Sequence, residues 1–312
     1  MNAKPFRKSR LLISCAFLVA AGLFLFPPVA RADIFGLPFS LGGAANYVVL
    51  GLGGTSSFQA EFEVYQSGTN VYGNVGVGAY TQVTHAVDAH IHGRWDYDPT
   101  VTGTNLFLNH PYIDNIDGGA FQMSMAGIVA DARNASNQYA GLAPTQTFTT
   151  LNSGQVIVGN GGLNVIRVTG DVSLSGGSSS LTLQGGPNDS FVFQLTAQDA
   201  SSVHTLNLSG VTMHITGVSA SQILWNMNGL GGGITITSGA TVYGTFLAPD
   251  RSILGDHANL DGRLIGGGGP DAHSNSMSVH STSMIVPEPA SLVLTGFGLA
   301  LCAGAGYLRR RR

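Results

Sequence analysis

The segment ITITSGATVYGTFLAPDRSILGDHANLDGRLI, residues 234–265, decides the fold class of this protein. Short runs of Ile, Val, Leu and Thr alternate with other residues, and each run is followed by Gly, Ser, Asp or Asn. Alternation with a period of two places one face of a strand in a core, and turn residues end each strand after a few positions. The segment therefore predicts short β-strands that are joined by tight turns.

The same pattern covers the wider region 155–265, in which turn residues recur about every 8 to 12 positions. The predicted strands lie at 165–168, 172–174, 181–183, 191–195, 204–208, 211–216, 223–225, 234–237, 242–247 and 260–265. This spacing suits either a β-sandwich or a stacked solenoid. We favour the solenoid, because short strands with few charges are stabilised most easily when each coil covers its neighbour. No strict repeat length is present, so the coils are expected to be irregular.

One segment, 121–139, departs from this pattern and predicts a helix. Gly141 and Pro144 follow it and would end the helix. Its apolar residues recur at helical spacing: Met125, Ile128, Val129, Ala132, Ala135 and Tyr139. We expect this stripe to pack against the sheet rather than to hold a cofactor.

The charge distribution excludes nucleic-acid binding. The chain has 312 residues, of which only 10 % are charged. Between residues 33 and 286 it has five Arg, no Lys and 16 acidic residues, a net charge of −11. Binding to a phosphate backbone requires a basic face, which this region does not have.

Residues 1–32 have the three parts of a secretory signal peptide. A basic region precedes an apolar run at 11–26, and Ala30 and Ala32 supply the small residues that a signal peptidase accepts. We therefore expect export by the Sec route and a mature chain that begins at Asp33. The alternative is a retained N-terminal membrane helix.

The C-terminal segment 286–312 has three consecutive parts. They are the motif Val286-Pro287-Glu288-Pro289, an apolar stretch at 290–308, and the basic cluster Arg309-Arg310-Arg311-Arg312. The apolar stretch is long enough to cross about 30 Å of hydrocarbon, and the positive-inside rule places the arginines in the cytoplasm. The tail resembles the PEP-CTERM sorting signal. The alternative is a permanent single-span anchor.

The resemblance to PEP-CTERM tails has implications for export. It implies a transient inner-membrane anchor, cleavage by an exosortase near the Pro-Glu-Pro motif, and delivery to the surface or extracellular matrix of a Gram-negative bacterium. The predicted exported body then covers residues 33–285. The body is free of cysteine, because Cys15 and Cys302 lie in the terminal segments.

The body itself has two family resemblances. One set of motifs resembles the ice-binding-like bacterial β-solenoid family: LGGAANYVVL (41–50), FVFQ (191–194), ILWN (223–226), ATVYGTFLAP (240–249) and NLDGRLI (259–265). The run YGTFLAP, together with VYGNVGVG (71–78), is also similar to the choice-of-anchor A domains of surface proteins. The first resemblance implies an irregular right-handed β-helix (solenoid) with one long α-helix packed alongside, a mainly β fold. Residues 79–118 match neither family.

The His and Asp residues between 85 and 98 are candidate metal ligands. His90 and His92 share one face of a predicted strand, with His85 and Asp88 close in sequence, and Asp96 and Asp98 follow. A zinc site needs three or four N, O or S ligands, so the histidine pair alone is not sufficient. We therefore take His90, His92, Asp96 and Asp98 as the candidate set. The alternative is that these histidines are exposed and bind no metal.

Calcium is the other ion that carboxylates in this region could hold. Asp96 and Asp98, or Asp114 and Asp117, offer oxygen ligands, but neither pair has the spaced ligand set of a known calcium loop. Asp117 precedes Gly118, and Asp-Gly is also a common turn pair. No cofactor is otherwise expected.

The sequence gives little support for an enzyme. It contains no G-x-S-x-G nucleophile motif. Glu61 and Glu63 are the only glutamates of the body, and a separation of about 7 Å along one strand is compatible with glycoside hydrolysis. Two glutamates on an exposed strand face are the simpler interpretation, so we expect a protein that is not an enzyme.

Ice binding requires a flat, rigid face with little charge. Four threonines could contribute to such a face: Thr212, Thr216, Thr235 and Thr237. Threonine is also a common strand residue for other reasons. Our main functional expectation is an exported structural or adhesive protein of the cell surface or of an exopolysaccharide (biofilm) matrix. The alternative is an ice-binding protein, and the third hypothesis is a secreted carbohydrate-active enzyme.

Overall fold

The structure, a computed structural model, describes residues 39–66, 68–85, 89–103, 116–195, 204–269 and 276–285. Ala30 and Ala32 of the predicted signal peptide and all of the predicted sorting tail (286–312) lie outside these residues. No helix in the described part of the chain is long and apolar enough to cross a membrane.

The described residues form 23 strands and one α-helix. In chain order the strands are β1 (Tyr47–Gly51), β2 (Ala60–Tyr65), β3 (Asn70–Tyr72), β4 (Asn74–Val77), β5 (Thr81–His85), β6 (His90–Ile91), β7 (Trp95–Tyr97), β8 (Ala120–Gln122), β9 (Gln146–Phe148), β10 (Gln155–Val158), β11 (Leu163–Val168), β12 (Val172–Ser173), β13 (Ser180–Gln184), β14 (Ser190–Gln194), β15 (Leu206–Asn207), β16 (Thr212–Thr216), β17 (Ile223–Asn226), β18 (Ile234–Thr237), β19 (Thr241–Ala248), β20 (Ile253–Asp256), β21 (Asn259–Gly266), β22 (Ser276–His280) and β23 (Ser283–Ile285). The helix α1 covers Ala126–Ala140 and follows β8.

The strands stack into three parallel columns, as in a β-helix. Column A runs in the order β8, β7, β4, β1, β21, β19, β17, β14, β11 and β9. Column B contains β10, β13, β16, the first halves of β19 and β21, then β23, β3 and β6. Column C contains β12, β15, β18, β20, β22, β2 and β5. This architecture confirms the predicted mainly β, coil-on-coil fold.

The chain enters this stack in the middle rather than at an end. β1 pairs with β4 on one side and with β21 on the other. The first coils therefore extend from β1 to β8, and the later coils extend from β9 back to β21. The two series join in parallel register, for example at Leu50 and Ile265.

The interior of the three columns is filled by apolar side chains that stack in register. Ile166, Phe193, Trp225, Phe246 and Leu264 occupy matching positions of successive column A strands, and all five are buried. The ring centroids of Phe193 and Trp225 lie 3.9 Å apart, and those of Trp225 and Phe246 lie 5.7 Å apart. This stack provides much of the burial that stabilises a body without cysteine.

Helix α1 covers column A, where it contacts β14, β17 and β19. The predicted apolar stripe is confirmed: Met125, Ala132, Ala135 and Tyr139 are buried, and Ile128 and Val129 pack against them. The predicted start at residue 121 is wrong. Residues 120–122 form β8 because they pair with β7, and the helix begins only at Ala126. It ends one residue later than predicted, at Ala140.

Two glycines let single strands turn from column B into column A. Gly244 of β19 and Gly262 of β21 are register partners, and their φ angles are +113° and +156°. A Cβ atom at Gly262 would overlap the backbone oxygen of Gly244. Only glycine accommodates both the conformation and the close approach of the two chains.

Candidate functional site

Column B is a long strand face that α1 does not cover. Its inward positions, such as Leu181, Met213 and Leu260, are buried, and the alternate positions are exposed or half-buried. One row of these alternate positions contains only polar residues, one from each of seven successive strands. We call this row the polar ladder: Ser180, Thr212, Thr241, Asn259, Ser283, Asn70 and His90, in register order. The ladder contains no Lys, Arg, Asp or Glu.

A shallow groove of about 240 Å³ lies in the middle of column B. Thr241, Tyr243, Asn259, Asp261 and Ser283 contribute to its lining. Burial raises the pKa of the Asp261 carboxyl, and none of the described residues donates a hydrogen bond to its Oδ1 atom. The groove therefore combines an aromatic ring, a carboxyl group and three short polar side chains.

The end of column B brings together His90, His92 and Asp117. His90 Nε2 lies 2.9 Å from Asp117 Oδ1, and His92 Nδ1 lies 3.0 Å from Asp117 Oδ2. The hydrogen bonds from His90 and His92 lower the pKa of the exposed Asp117 carboxyl. All three side chains could supply ligand atoms to one metal ion.

Asp96 and Asp98 do not belong to this group, although they were in the predicted ligand set. Asp96 is fully buried in column A, where its Oδ2 accepts hydrogen bonds from the Tyr47 hydroxyl and from Arg94. Burial and the contact with Asp96 raise the pKa of Tyr47. Asp98 accepts hydrogen bonds from the Thr100 hydroxyl and from the Met125 backbone N–H.

The proposed calcium pairs do not form a ligand set among the described residues. Asp96 and Asp98 are held by different partners, as described above. Asp114 lies outside the described residues, as do Asp88 and the side chain of His85. Asp117 belongs to the histidine group instead.

The four predicted ice-contacting threonines are divided between two faces. Thr212 and Thr216 lie on β16 in column B, whereas Thr235 and Thr237 lie on β18 in column C. They therefore do not form a single face, because the chain turns between columns after each short strand. Thr212 is a member of the polar ladder.

Column C is the second face that α1 does not cover, and its outward side chains are more mixed. Glu63 Oε1 accepts a hydrogen bond from Thr84, and its Oε2 lies 3.2 Å from His280 Nε2 and accepts a hydrogen bond from Ser278. Glu61 is exposed on the same strand. Both carboxylate oxygens of Glu63 thus contact neighbouring side chains, whereas an acid and base pair with Glu61 would require Glu63 to contact a sugar.

A family model of the ice-binding-like adhesive domain matches residues 39–269. The chain belongs to this family. The match covers every strand except β22 and β23, and it confirms the ice-binding-like part of the resemblance. It also includes residues 79–118, so the expectation that this segment matches neither family is wrong. The choice-of-anchor A and PEP-CTERM resemblances stay predictions.

Solved structures share the fold of this ice-binding-like adhesive domain. An ice-binding protein from an Antarctic biological consortium is 18 % identical, with a TM-score of 0.56 over 80 % of this chain and 91 % of that chain. One from an Antarctic bacterium of the Flavobacteriaceae is 19 % identical, with a TM-score of 0.53 over 80 % of this chain and 47 % of that chain. An ice-binding protein from the ascomycete Antarctomyces psychrotrophicus is 18 % identical, with a TM-score of 0.51 over 80 % of this chain and 98 % of that chain. No curated protein sequence matches the chain.

The sequence did not indicate two features of the ice-binding-like adhesive domain. Five residues of the polar ladder were missed: Ser180, Thr241, Asn259, Ser283 and Asn70. The approach of Asp117 to the two histidines was also missed. Both depend on which strands stack on each other, and irregular coil lengths hide that register in the sequence.

Proposed function

We propose that this domain binds ice through the polar ladder of column B. The observation that carries the proposal is an unbroken row of seven polar side chains on a face that α1 does not cover. Family membership and the shared fold with proteins described as ice-binding add support.

The geometry of a stacked column suits a rigid, repetitive ligand. Strands in a sheet are about 4.8 Å apart, so the ladder presents polar groups at a nearly constant repeat. Ser, Thr and Asn are short side chains and lose little conformational entropy when they are held against a surface. A rigid face of this kind can hold a layer of ordered water that merges with an ice crystal.

The other two faces are less suitable for this role. Helix α1 covers column A. Column C also presents Thr235, Thr237 and Ser278. However, Leu254 and Glu63 interrupt one of its outward rows, and Asp256 interrupts the other. The polar ladder of column B contains no apolar or acidic residue, although Asp261 lies in the row beside it. Charged groups hold their own hydration water strongly and oppose the ordering of an ice-like layer.

The purified full-length protein tests the proposal directly. We expect thermal hysteresis, faceted ice crystals and inhibition of ice recrystallisation at micromolar concentration, and we expect all three to disappear after heat unfolding. The heat-unfolded sample is the matched control, because its composition is identical. Round crystals and ordinary recrystallisation with the folded protein would contradict the proposal.

Adhesion to a polysaccharide is the second candidate, and the groove of column B favours it. Aromatic rings pack against sugar rings, and nearby polar groups fix their orientation. Affinity electrophoresis in gels that contain exopolysaccharide would show retardation of the wild type. We expect Tyr243→Ser to be retarded less than the wild type. Tyr80→Ser, which changes an exposed tyrosine outside the groove, should be retarded as much as the wild type. Equal mobility of all three would exclude this role for the groove.

We also propose that the chain is exported and sorted to the cell surface by signal peptidase and exosortase. The terminal motifs described above support this proposal. Separately, the description of the family as adhesive supports a role other than catalysis. Replacement of Pro287, Glu288 and Pro289 by alanine should retain the protein in the inner-membrane fraction. Unchanged processing and location would refute the sorting assignment.

A further inference from the structure

Three side chains that commonly bind metal ions converge at the end of column B. Nitrogen atoms of His90 and His92 each lie within 3.0 Å of an oxygen atom of Asp117. Their potential ligand atoms all lie within 4.8 Å of one another. The imidazole rings of His90 and His92 are also close, with centroids 3.8 Å apart.

The backbone holds this group in place. Ile91, between the two histidines, is buried and forms a parallel bridge with Ile116, which precedes the aspartate. The Asp117 backbone N–H donates a hydrogen bond to the Ile91 carbonyl at 3.0 Å. Tyr72 of the adjacent coil stacks on the His92 ring at 4.3 Å. The three side chains are therefore positioned by the stack itself.

We propose that His90, His92 and Asp117 bind a divalent transition-metal ion, with zinc as the preferred example. Two imidazoles and one carboxylate are the ligand types that zinc takes, and three protein ligands leave one position of its tetrahedral shell open. The atoms that now share hydrogen bonds are the atoms that would coordinate the ion. Small shifts of exposed side chains would bring them to ligand distance, because His92 and Asp117 are 27 % and 57 % exposed.

The donor set separates this site from a calcium site. Calcium prefers six to eight oxygen ligands, whereas two of the three donors here are nitrogen. Affinity for nitrogen-containing sites rises along the divalent first-row metals towards copper, so Cu²⁺ and Ni²⁺ are competing ions. The open position would be filled by water or by an oxygen atom of a bound ligand.

Titration calorimetry with Zn²⁺ tests the site in the purified full-length protein, prepared with an affinity tag that contains no histidine. We expect saturable binding that requires both histidines. His90→Gln, His92→Gln and Asp117→Asn should each weaken Zn²⁺ binding by about tenfold or more, because loss of a ligand should cost at least as much as loss of an outer-shell partner.

His257→Gln is the matched control. His257 is exposed and lies 2.6 Å from Asp256, so the control removes an imidazole and its carboxylate contact without changing His90, His92 or Asp117. It should bind Zn²⁺ as the wild type does. Absence of binding to the wild type, or equal binding by the His90 and His92 variants, would overturn the proposal.

A second measurement does not depend on variants. Crystals of the protein soaked in Zn²⁺ should give an anomalous-difference peak between His90 Nε2, His92 Nδ1 and Asp117. A peak only at other sites would show that the three side chains form a hydrogen-bonded cluster without metal affinity. That result would overturn the inference and leave the proposed ice-binding face unaffected.

Discussion

The Asp261 side chain lies half-buried on column B, next to Tyr243 in the register of β19 and β21. Burial raises the pKa of its carboxyl group, so the charged form is less favourable in the folded protein than in the unfolded chain. This cost is absent well below the unfolded pKa of about 3.9 and grows as the pH rises through the folded pKa. Asp261 therefore destabilises the fold at neutral pH.

Asp261→Asn should raise the stability of the protein at pH 7, because it removes the buried charge and keeps the shape of the side chain. The difference from the wild type should shrink as the pH falls towards the unfolded pKa of the carboxyl group. Thermal unfolding of both proteins between pH 3.5 and 8 would measure how their difference in stability depends on pH.

Glu61→Gln is the control for this comparison, since it removes one negative charge from an exposed position. We expect it to change stability little at any pH. An Asp261→Asn variant that is less stable than the wild type at pH 7 would show that the carboxylate has a stabilising partner.

Arg251 shows what composition alone cannot reveal. In the sequence it is only one of five arginines between residues 33 and 286, and the structure shows that it is fully buried. Its guanidinium donates hydrogen bonds to the backbone oxygens of Gly229, His204 and Gly232. Burial lowers its pKa. Its role is to hold two loops together, and no local sequence pattern indicates this.

At the scale of elements, polar contacts between α1 and column A fix where the helix docks. Ser136 of α1 donates a hydrogen bond from its hydroxyl to Asn226 Oδ1 at 2.7 Å, and Asn226 Nδ2 donates to the Ser136 backbone oxygen at 2.9 Å. Gln194 donates to the backbone oxygens of Tyr139 and Leu142 at the helix end. Ser136, Asn226 and Gln194 are fully buried.

Asn226→Leu should destabilise the protein by about 1–3 kcal/mol, because it removes both buried hydrogen bonds between Asn226 and Ser136. Urea unfolding followed by circular dichroism would give the value. Asn134→Ala changes an exposed residue of the same helix and should stay within about 0.5 kcal/mol of the wild type. A neutral Asn226→Leu variant would mean that apolar packing alone docks the helix.

The sequence predicts elements well where periodicity is local. All ten predicted strands between 165 and 265 overlap observed strands, because alternation and turn residues are properties of the segment itself. The start of α1 was predicted too early, since residues 120–122 are committed to a strand by pairing with β7. Which strand pairs with a segment cannot be predicted from the sequence of that segment alone.

At the scale of the whole molecule, the order of the stack was beyond prediction. The contact between β1 and β21 joins residues that are far apart in sequence, and coil lengths differ from one turn to the next. The polar ladder and the histidine group both depend on this order. Single residues such as Thr212 and His90 could be named in advance, but their neighbours could not.

The central claim is that column B, and not column C, contacts ice. It is tested most directly by thermal hysteresis of two matched variants, Thr212→Tyr in the polar ladder and Thr235→Tyr on column C, measured beside the wild type. Both place a bulky ring at an outward strand position. We predict that Thr212→Tyr loses most of the hysteresis of the wild type and that Thr235→Tyr retains it. Retention by Thr212→Tyr, or loss only in Thr235→Tyr, would contradict the account.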